Sequence, residues 1–150
     1  MTMNILLLCT GNICRSPMAE GLLRQSLPVH ELFSAGICAQ EGAPADPLAV
    51  ELMWQLGVDI SGHRARQLSS WMMREADLVL TMERAQQHFV QRRFPSVAAK
   101  VERLGGAAGP DIPDPYGQGL PAFQQALRLI REAVRGRLPP LRRHTTCALG

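Results

Sequence analysis

Short apolar runs alternate along the chain with longer segments in which apolar residues recur every three or four positions. The first run, "NILLLC", is apolar at nearly every position, as expected of a strand buried on both faces. Together with three similar runs it predicts strands at residues 4–9, 32–35, 76–82 and 101–104. Strands that alternate with helical segments favour an α/β fold, here one domain with a four-stranded parallel sheet and helices on both faces.

The predicted helices occupy the segments between these strands and the region after the last one. They cover residues 16–27, 47–57, 83–94 and 120–138. Ser16 and Asp46 each precede a proline, which is the order expected of an N-cap residue and the first residue of a helix. Between the last strand and the last helix lies "GGAAGPDIPDPYGQG", a long segment rich in glycine and proline. A loop of this length in a compact domain is often functional.

The last predicted helix ends at a pair of prolines, Pro139 and Pro140. Proline lacks the backbone N–H that a helix needs, so these residues are predicted to close it. We therefore expect the domain to cover residues 1–138. Residues 139–150 are expected to form a mobile C-terminal tail.

Composition narrows the possible classes of function. No apolar run approaches the roughly 20 residues that a membrane helix requires. The chain also starts without the basic leader of a signal peptide, so we expect a cytoplasmic protein with no membrane insertion and reduced cysteines. The net charge of +3 comes from scattered arginines and only 5% of residues are aromatic, which argues against nucleic-acid binding. His144 and Cys147 have a ligand-like spacing, but two ligands do not make a zinc site.

The stretch "CTGNICRSP", residues 9–17, joins the first strand to the first helix. A turn this sharp directs several backbone N–H groups into one concavity at the positive end of a helix, which attracts an anion. Gly11 and Asn12 supply the backbone freedom that such a turn needs. Cys9 is expected where the N–H groups converge, as a thiolate nucleophile, and Arg15 matches two oxygens of a phosphate group. Ser16 is expected to hydrogen-bond the sulfur as it leaves a covalent intermediate, besides capping the helix. We therefore predict a phosphate-binding loop directly after the first strand.

This C-x5-R-S pattern resembles the signature of the low-molecular-weight protein tyrosine phosphatases. The resemblance extends through "FSAG", "GHRARQL" and "ADLVLTME" to "DIPDPYG". It implies that Cys9 is the nucleophile, that Arg15 stabilises the transition state and that Asp114 of "DPY" is the general acid. The implied reaction passes through a phosphocysteine and needs no metal or cofactor. The other phosphate- and substrate-binding positions implied by the resemblance are Thr10, Gly11, Asn12, Ile13, Cys14, Ser16 and Tyr116, with Ser34 and His63 as supporting positions.

Some of these residues also have a purely structural interpretation. Cys14 is either a packed thiol or, as the resemblance implies, the partner of a reversible disulfide that protects the nucleophile from over-oxidation. His63 is either a structural histidine or a residue that orients Asn12. Cys38 and Gln40 fall near the second lip of the pocket, where the bulky residue usual in the family is absent.

The resemblance leaves alternative functions open. Arsenate reductases on this fold relay a disulfide through mid-chain cysteines, and none occurs here between residues 38 and 147. Arginine phosphatases carry threonine and phenylalanine where this chain has Ile13 and Tyr116, so phosphotyrosine is the favoured substrate. A non-catalytic phosphate-binding module would not require both a nucleophile and an acid.

The resemblance is closest to bacterial members of the family that oppose autophosphorylating tyrosine kinases in exopolysaccharide or capsule production. It implies a phosphotyrosine protein as substrate, in particular a tyrosine autokinase. We expect the protein to act as a monomer.

Overall fold

The computed structural model describes the backbone of residues 2–149 and the side chains of residues 2–143. Four strands form one parallel sheet in the order β2-β1-β3-β4. Their bounds are Asn4–Cys9 (β1), Glu31–Gly36 (β2), Leu78–Thr81 (β3) and Val101–Arg103 (β4). The predicted strands and the parallel sheet are confirmed, with small shifts at the strand ends.

The helices of the described residues lie between and after these strands. They are α1 (Arg15–Ser26), α2 (Pro47–Gln55), α3 (Ser70–Glu75), α4 (Arg84–Arg93) and α5 (Leu120–Leu149), with a 3-10 helix at Pro95–Lys100. Asp46 caps α2 as predicted, because its carboxylate accepts the Leu48 N–H at 2.9 Å. The sequence did not predict α3 or the 3-10 helix, since elements this short do not display a helical period.

Alternating side chains of β1 divide the core in two. Ile5, Leu7 and Cys9 point to one face, where they pack with buried residues of α1, α2 and α5. Leu6 and Leu8 point to the other face, where they pack with α3 and α4. The unbroken apolar run of β1 therefore reflects burial on both sides, and the prediction of helices on both faces is confirmed.

The predicted end of the last helix is wrong, because α5 continues past Pro139 and Pro140 to Leu149. Each proline removes one N–H from the helix. Directly after them, Leu141 is buried, and its carbonyl oxygen lies 3.2 Å from Nε2 of His30. Packing against the rest of the domain stabilises a helix more than its own propensity does, and this contact explains the continuation.

The mobility expected for residues 139–150 stays a prediction. The side chains of His144 and Cys147 lie outside the described residues. Within the described part of the chain, no helix is long and apolar enough to cross a membrane.

Candidate active site

The predicted phosphate-binding loop lies at the carboxyl end of β1. Residues 9–16, the Cys9 loop, connect this strand to α1. Asn12 has a φ of 61°, in the left-handed region, and is the one non-glycine residue with positive φ among those described. Gly11 does not adopt this conformation, so the unusual backbone geometry falls on Asn12 alone. Asparagine enters this region more readily than most side chains, which suits it to the position.

The sulfur of Cys9 is buried and faces two hydrogen-bonding groups. The backbone N–H of Asn12 donates to Sγ at 3.3 Å, and the Ser16 hydroxyl lies 2.9 Å from Sγ. Ser16 Oγ also accepts a hydrogen bond from Nδ2 of Asn12 at 2.8 Å, which leaves the hydroxyl hydrogen available to the sulfur. Both contacts aim a donor hydrogen at the sulfur, at the carboxyl end of β1.

Ser16 does not cap α1, contrary to the sequence prediction. The helix begins one residue earlier, at Arg15, with Cys14 at the N-cap position and no side-chain hydrogen bond to the cap. The Ser16 hydroxyl is instead occupied by Cys9 and Asn12. Because no side chain caps them, the first N–H groups of α1 are available to an anion.

Asn12 links the Cys9 loop to the neighbouring elements. Its Nδ2 donates to the Ser34 hydroxyl of β2 at 3.0 Å, and its Oδ1 accepts the Arg66 N–H at 2.9 Å. Its backbone carbonyl lies 2.6 Å from Nε2 of His63. Ser34 and His63 thus both contact Asn12 and lie behind the cavity. A buried polar network that is satisfied in this way holds a single geometry.

Arg15 is charged and yet only 1% exposed. Its Nη1 donates to the carboxylate of Glu83, directly before α4, and to the carbonyl of Ile112 at 2.7 Å. Its Nη2 lies 3.7 Å from Oδ2 of Asp114. The guanidinium is therefore fixed through one nitrogen, while the other is placed beside Asp114.

One cavity, of about 140 Å³, brings the predicted catalytic residues together. Cys9 and Arg15 are buried at its base, whereas Asp114 and Tyr116 are about half exposed at its rim, at 48% and 52%. Oδ1 of Asp114 accepts the N–H of Tyr116 at 3.1 Å, which orients the carboxylate. The lining includes both residues expected at the second lip and consists of Cys9, Thr10, Gly11, Ile13, Cys14, Arg15, Cys38, Gln40, Asp114 and Tyr116.

Comparison with known proteins agrees with this geometry. A family model described as low molecular weight phosphotyrosine protein phosphatase matches residues 4–146. The chain belongs to this family. The phosphatase is 50% identical over 142 residues to the probable low molecular weight protein-tyrosine-phosphatase EpsP of Ralstonia nicotianae, covering 95% of this chain and 98% of EpsP.

Two solved structures resemble the phosphatase in fold as well as in sequence. Wzb of Vibrio vulnificus, in complex with benzylphosphonate, is 39% identical with a TM-score of 0.85, over 89% of the phosphatase and 95% of Wzb. YwlE arginine phosphatase from Geobacillus stearothermophilus is 31% identical with a TM-score of 0.89, over 96% of each chain. The family and fold expected from the sequence are confirmed. The fold alone does not decide between phosphotyrosine and phosphoarginine as substrate.

Cys14, the second cysteine of the loop, is also buried in the phosphatase. Burial raises the pKa of its thiol far above the ordinary value, and Asp46, Asp114 and Cys9 add to this effect while Arg15 opposes it. Disulfides form by attack of a thiolate, so a protonated Cys14 attacks an oxidised partner slowly. The cysteines that the structure describes are all reduced, and the protective disulfide stays a prediction.

Several residues of the site were not predicted as members of it. Gln86 Oε1 accepts the Glu83 N–H at 3.0 Å, and its Nε2 donates to the Thr10 hydroxyl at 3.1 Å. Nε of Arg66 donates to the Ser34 carbonyl at 3.0 Å. Glu83 ends the segment "ADLVLTME" and Arg66 lies within "GHRARQL", so the resemblance covered both positions without giving either a role. Glu83 also follows a buried strand directly, at the edge where ligands bind in α/β sheets. Gln86 lies outside the segments quoted for the resemblance.

A larger cavity, of about 480 Å³, lies between α1 and residues 57–63. Its lining includes Glu20, Arg24 and His63 but no cysteine. This cavity therefore has no cysteine that could accept a phosphoryl group. His63 lines it and also contacts Asn12 of the Cys9 loop of the phosphatase.

Proposed function

We propose that the phosphatase hydrolyses phosphotyrosine in proteins, with Cys9 as nucleophile, Arg15 as phosphate ligand and Asp114 as general acid. The observation that carries this proposal is that Cys9 and Arg15 of one loop line the same cavity as Asp114 of another loop, about 100 residues further along the chain. The nucleophile and the arginine lie at its base and the acid at its rim. This depth order suits a phosphate that enters first and a phenol that leaves from the rim.

The first step transfers the phosphoryl group to the enzyme. The Cys9 thiolate attacks phosphorus in line with the leaving oxygen, so that an S–P bond forms as the P–O bond to the phenol breaks. Asp114 gives its proton to the departing oxygen. Arg15 and the N–H groups of the Cys9 loop stabilise the charge on the other phosphate oxygens.

The second step hydrolyses the phosphocysteine. Asp114, now ionised, takes a proton from water, whose oxygen attacks phosphorus while the S–P bond breaks. The electron pair of that bond returns to Cys9 as thiolate. The Ser16 hydroxyl, 2.9 Å from Sγ, donates to the sulfur as it leaves and lowers the cost of its negative charge.

Ile13 and Tyr116 support an aromatic substrate. Ile13 is a buried apolar part of the cavity wall, and Tyr116 is half exposed at the rim, where its ring can flank a phenol. The Vibrio relative is described with benzylphosphonate, an aromatic phosphate mimic. Phosphoarginine is the second candidate substrate, because YwlE has the same fold.

The substrate assignment is tested with phosphotyrosine, phosphoserine and phosphoarginine peptides of matched sequence. We expect kcat/KM to favour phosphotyrosine by about 100-fold or more. The double variant Ile13→Thr, Tyr116→Phe is expected to reduce this preference, and Cys9→Ser to abolish turnover. Preference for phosphoarginine would contradict the assignment, and turnover by Cys9→Ser would contradict the covalent mechanism.

We further propose that the protein acts in the cytoplasm, as a monomer, on an autophosphorylating tyrosine kinase of exopolysaccharide or capsule production. Similarity to the protein-tyrosine-phosphatases EpsP of Ralstonia nicotianae and Wzb of Escherichia coli supports a phosphotyrosine protein as substrate. The kinase is the partner that the resemblance in sequence implies. Removing the gene is expected to raise phosphotyrosine on the kinase and to alter polysaccharide output. Wild-type protein, but not Cys9→Ser, should restore both, and unchanged kinase phosphorylation would exclude this partner.

A further inference from the structure

The position of Asp114 depends on the backbone two residues before it. Residues 105–119, the Asp114 loop, connect β4 to α5. The carbonyl of Ile112 accepts Nη1 of Arg15 at 2.7 Å, and its N–H donates to the carbonyl of Met82 at 3.0 Å. The position of Ile112 therefore affects the positions of both Arg15 and Asp114.

Arg103, the last residue of β4, is the buried centre of this loop. It is 5% exposed. Its Nη1 donates to the Gly109 carbonyl at 2.8 Å and to Oδ1 of Asp111 at 3.1 Å, and its Nη2 donates to the Ala107 carbonyl at 2.8 Å. Arg137 of α5 in turn donates to the carbonyl of Arg103. A buried charge is costly unless its partners are in place, so the first half of the loop must fold around this guanidinium.

Asp111 connects the same guanidinium to α4. Its Oδ1 accepts the N–H of Arg84, the first residue of α4, at 2.9 Å. Arg84 directly follows Glu83, whose carboxylate binds Arg15. One carboxylate oxygen thus joins the end of β4, the Asp114 loop and the start of the helix beside the phosphate site.

We propose that Arg103 and Asp111 are positioning residues, which fix the Asp114 loop so that the carboxylate of Asp114 faces the leaving group. The inference rests on the proposed role of Asp114 as general acid. Neither Arg103 nor Asp111 lines the cavity, so both act through the loop backbone. Arg15 keeps its contact to Glu83, which Gln86 of α4 holds independently of the loop. Loss of Arg103 or Asp111 therefore acts mainly on protonation of the leaving group and much less on the attack by Cys9.

The test is how kcat/KM depends on the leaving group. A dinitrophenol leaves as a stable anion, whereas phenol needs a proton from a general acid. Asp111→Ala is expected to lower kcat/KM for phenyl phosphate by about tenfold and that for dinitrophenyl phosphate by less than about twofold. Arg103→Lys keeps the charge but not the planar fork, and is expected to show the same selective loss.

Asp59→Ala is the matched control. Its exposed carboxylate accepts the Ser61 N–H at 2.8 Å in another loop, outside the catalytic cavity. It should leave kcat/KM for both substrates unchanged. Asp111→Asn retains an oxygen for the Arg84 N–H and is expected to recover part of the loss, which also keeps the test open if Asp111→Ala unfolds.

Asp114→Asn, measured in parallel, separates the acid role of Asp114 from the positioning role of Arg103 and Asp111. If it shows the selective loss and the Asp111 variants do not, the positioning role is wrong while the acid stands. If Asp114→Asn loses both substrates equally, the acid assignment fails and the positioning role fails with it. An equal loss for both substrates in the Asp111 variants would indicate general damage and would also overturn the proposal.

Discussion

The two loops that form the site are held in opposite ways. The Cys9 loop is buried except at Thr10 and Gly11, and its contacts come from the polar side chains of Asn12 and Ser16 and from their neighbours on β2 and residues 63–66. The Asp114 loop leaves its acid half exposed and is anchored by Arg103 at its base. The buried loop suits a fixed phosphate geometry. The exposed loop suits a rim that admits a protein substrate and still places a proton donor.

Arg15 joins the two loops, and replacing it should have the largest effect. Arg15→Lys keeps the charge but cannot reproduce the contacts to Glu83, Ile112 and a phosphate at once. We expect kcat/KM to fall by about 10³ for good and poor leaving groups alike. Steady-state kinetics with both aryl phosphates checks this, and a loss confined to the poor leaving group would assign Arg15 to the Asp114 loop only.

Substitutions of Asn12 test how much the Cys9 loop contributes to the free energy of unfolding. Asn12→Ala loses the hydrogen bonds to Ser16 and Ser34 and places alanine in the left-handed region. The free energy of unfolding should fall by about 3 kcal/mol. Asn12→Gly loses the same bonds without the backbone cost and should be about 1 kcal/mol more stable than the alanine variant. Urea unfolding measures both, and equal stabilities would show that the left-handed backbone carries no cost.

Alanine substitutions at two glycines allow a direct comparison of how far the backbone can move around each loop. A Cβ on Gly36, at the end of β2, would lie 2.6 Å from the carbonyl oxygen of Thr10 in the Cys9 loop. A Cβ on Gly109 would lie 2.2 Å from the carbonyl oxygen of Gly105 in the Asp114 loop. We expect Gly36→Ala to lower the free energy of unfolding by about 2 kcal/mol, because buried backbone cannot move aside.

Gly109→Ala should cost less stability, because Gly109 is half-buried beside exposed residues and its backbone can shift. The shift moves the carbonyl that accepts Nη1 of Arg103, so the variant should show the selective loss with poor leaving groups. Gly62→Ala is the control, since no atom lies within 4 Å of a Cβ there. Thermal unfolding with kinetics on the three variants checks the contrast. Selective kinetics in Gly36→Ala, or a larger stability loss in Gly109→Ala, would reverse the comparison.

The two loops also differ in how many of their important residues could be predicted from the sequence. In the Cys9 loop nucleophile, arginine and serine stand within eight residues, so one motif predicts them together. Asp114 was found through a second motif. Glu83 stands in a segment that resembles the family, but its contact to Arg15 joins positions 68 residues apart and has no local pattern. Arg103 binds residues only four to eight positions further on, yet nothing in the sequence marks it as buried. The sequence predicted two roles for Ser16, a hydrogen bond to the sulfur and a helix cap. The structure has only the first, because the hydroxyl is engaged by Sγ of Cys9 and Nδ2 of Asn12 and does not reach the first N–H groups of α1.

The smallest expected effect is a change in how the free energy of unfolding depends on pH when Cys14 is replaced. Its raised pKa keeps the thiol protonated in the folded protein, whereas in the unfolded chain it ionises around its ordinary value of 9.0. The unfolded state therefore binds fewer protons above that pH, and stability falls as pH rises further. Cys14→Ala should lose stability less steeply above about pH 9, with no difference in slope near pH 7. Parallel stability curves across this range would contradict the assignment.

The central claim is that Cys9 carries the phosphoryl group, and trapping the intermediate tests it most directly. Asp114→Asn mixed with dinitrophenyl phosphate should form the S–P bond rapidly and hydrolyse it slowly, because the leaving group needs no acid while water needs a base. Rapid quenching followed by peptide mass spectrometry should find one phosphoryl group per chain on Cys9, and none in a Cys9→Ser, Asp114→Asn double variant. A phosphoryl group on another residue, or turnover with no phosphoenzyme at any time, would contradict the account.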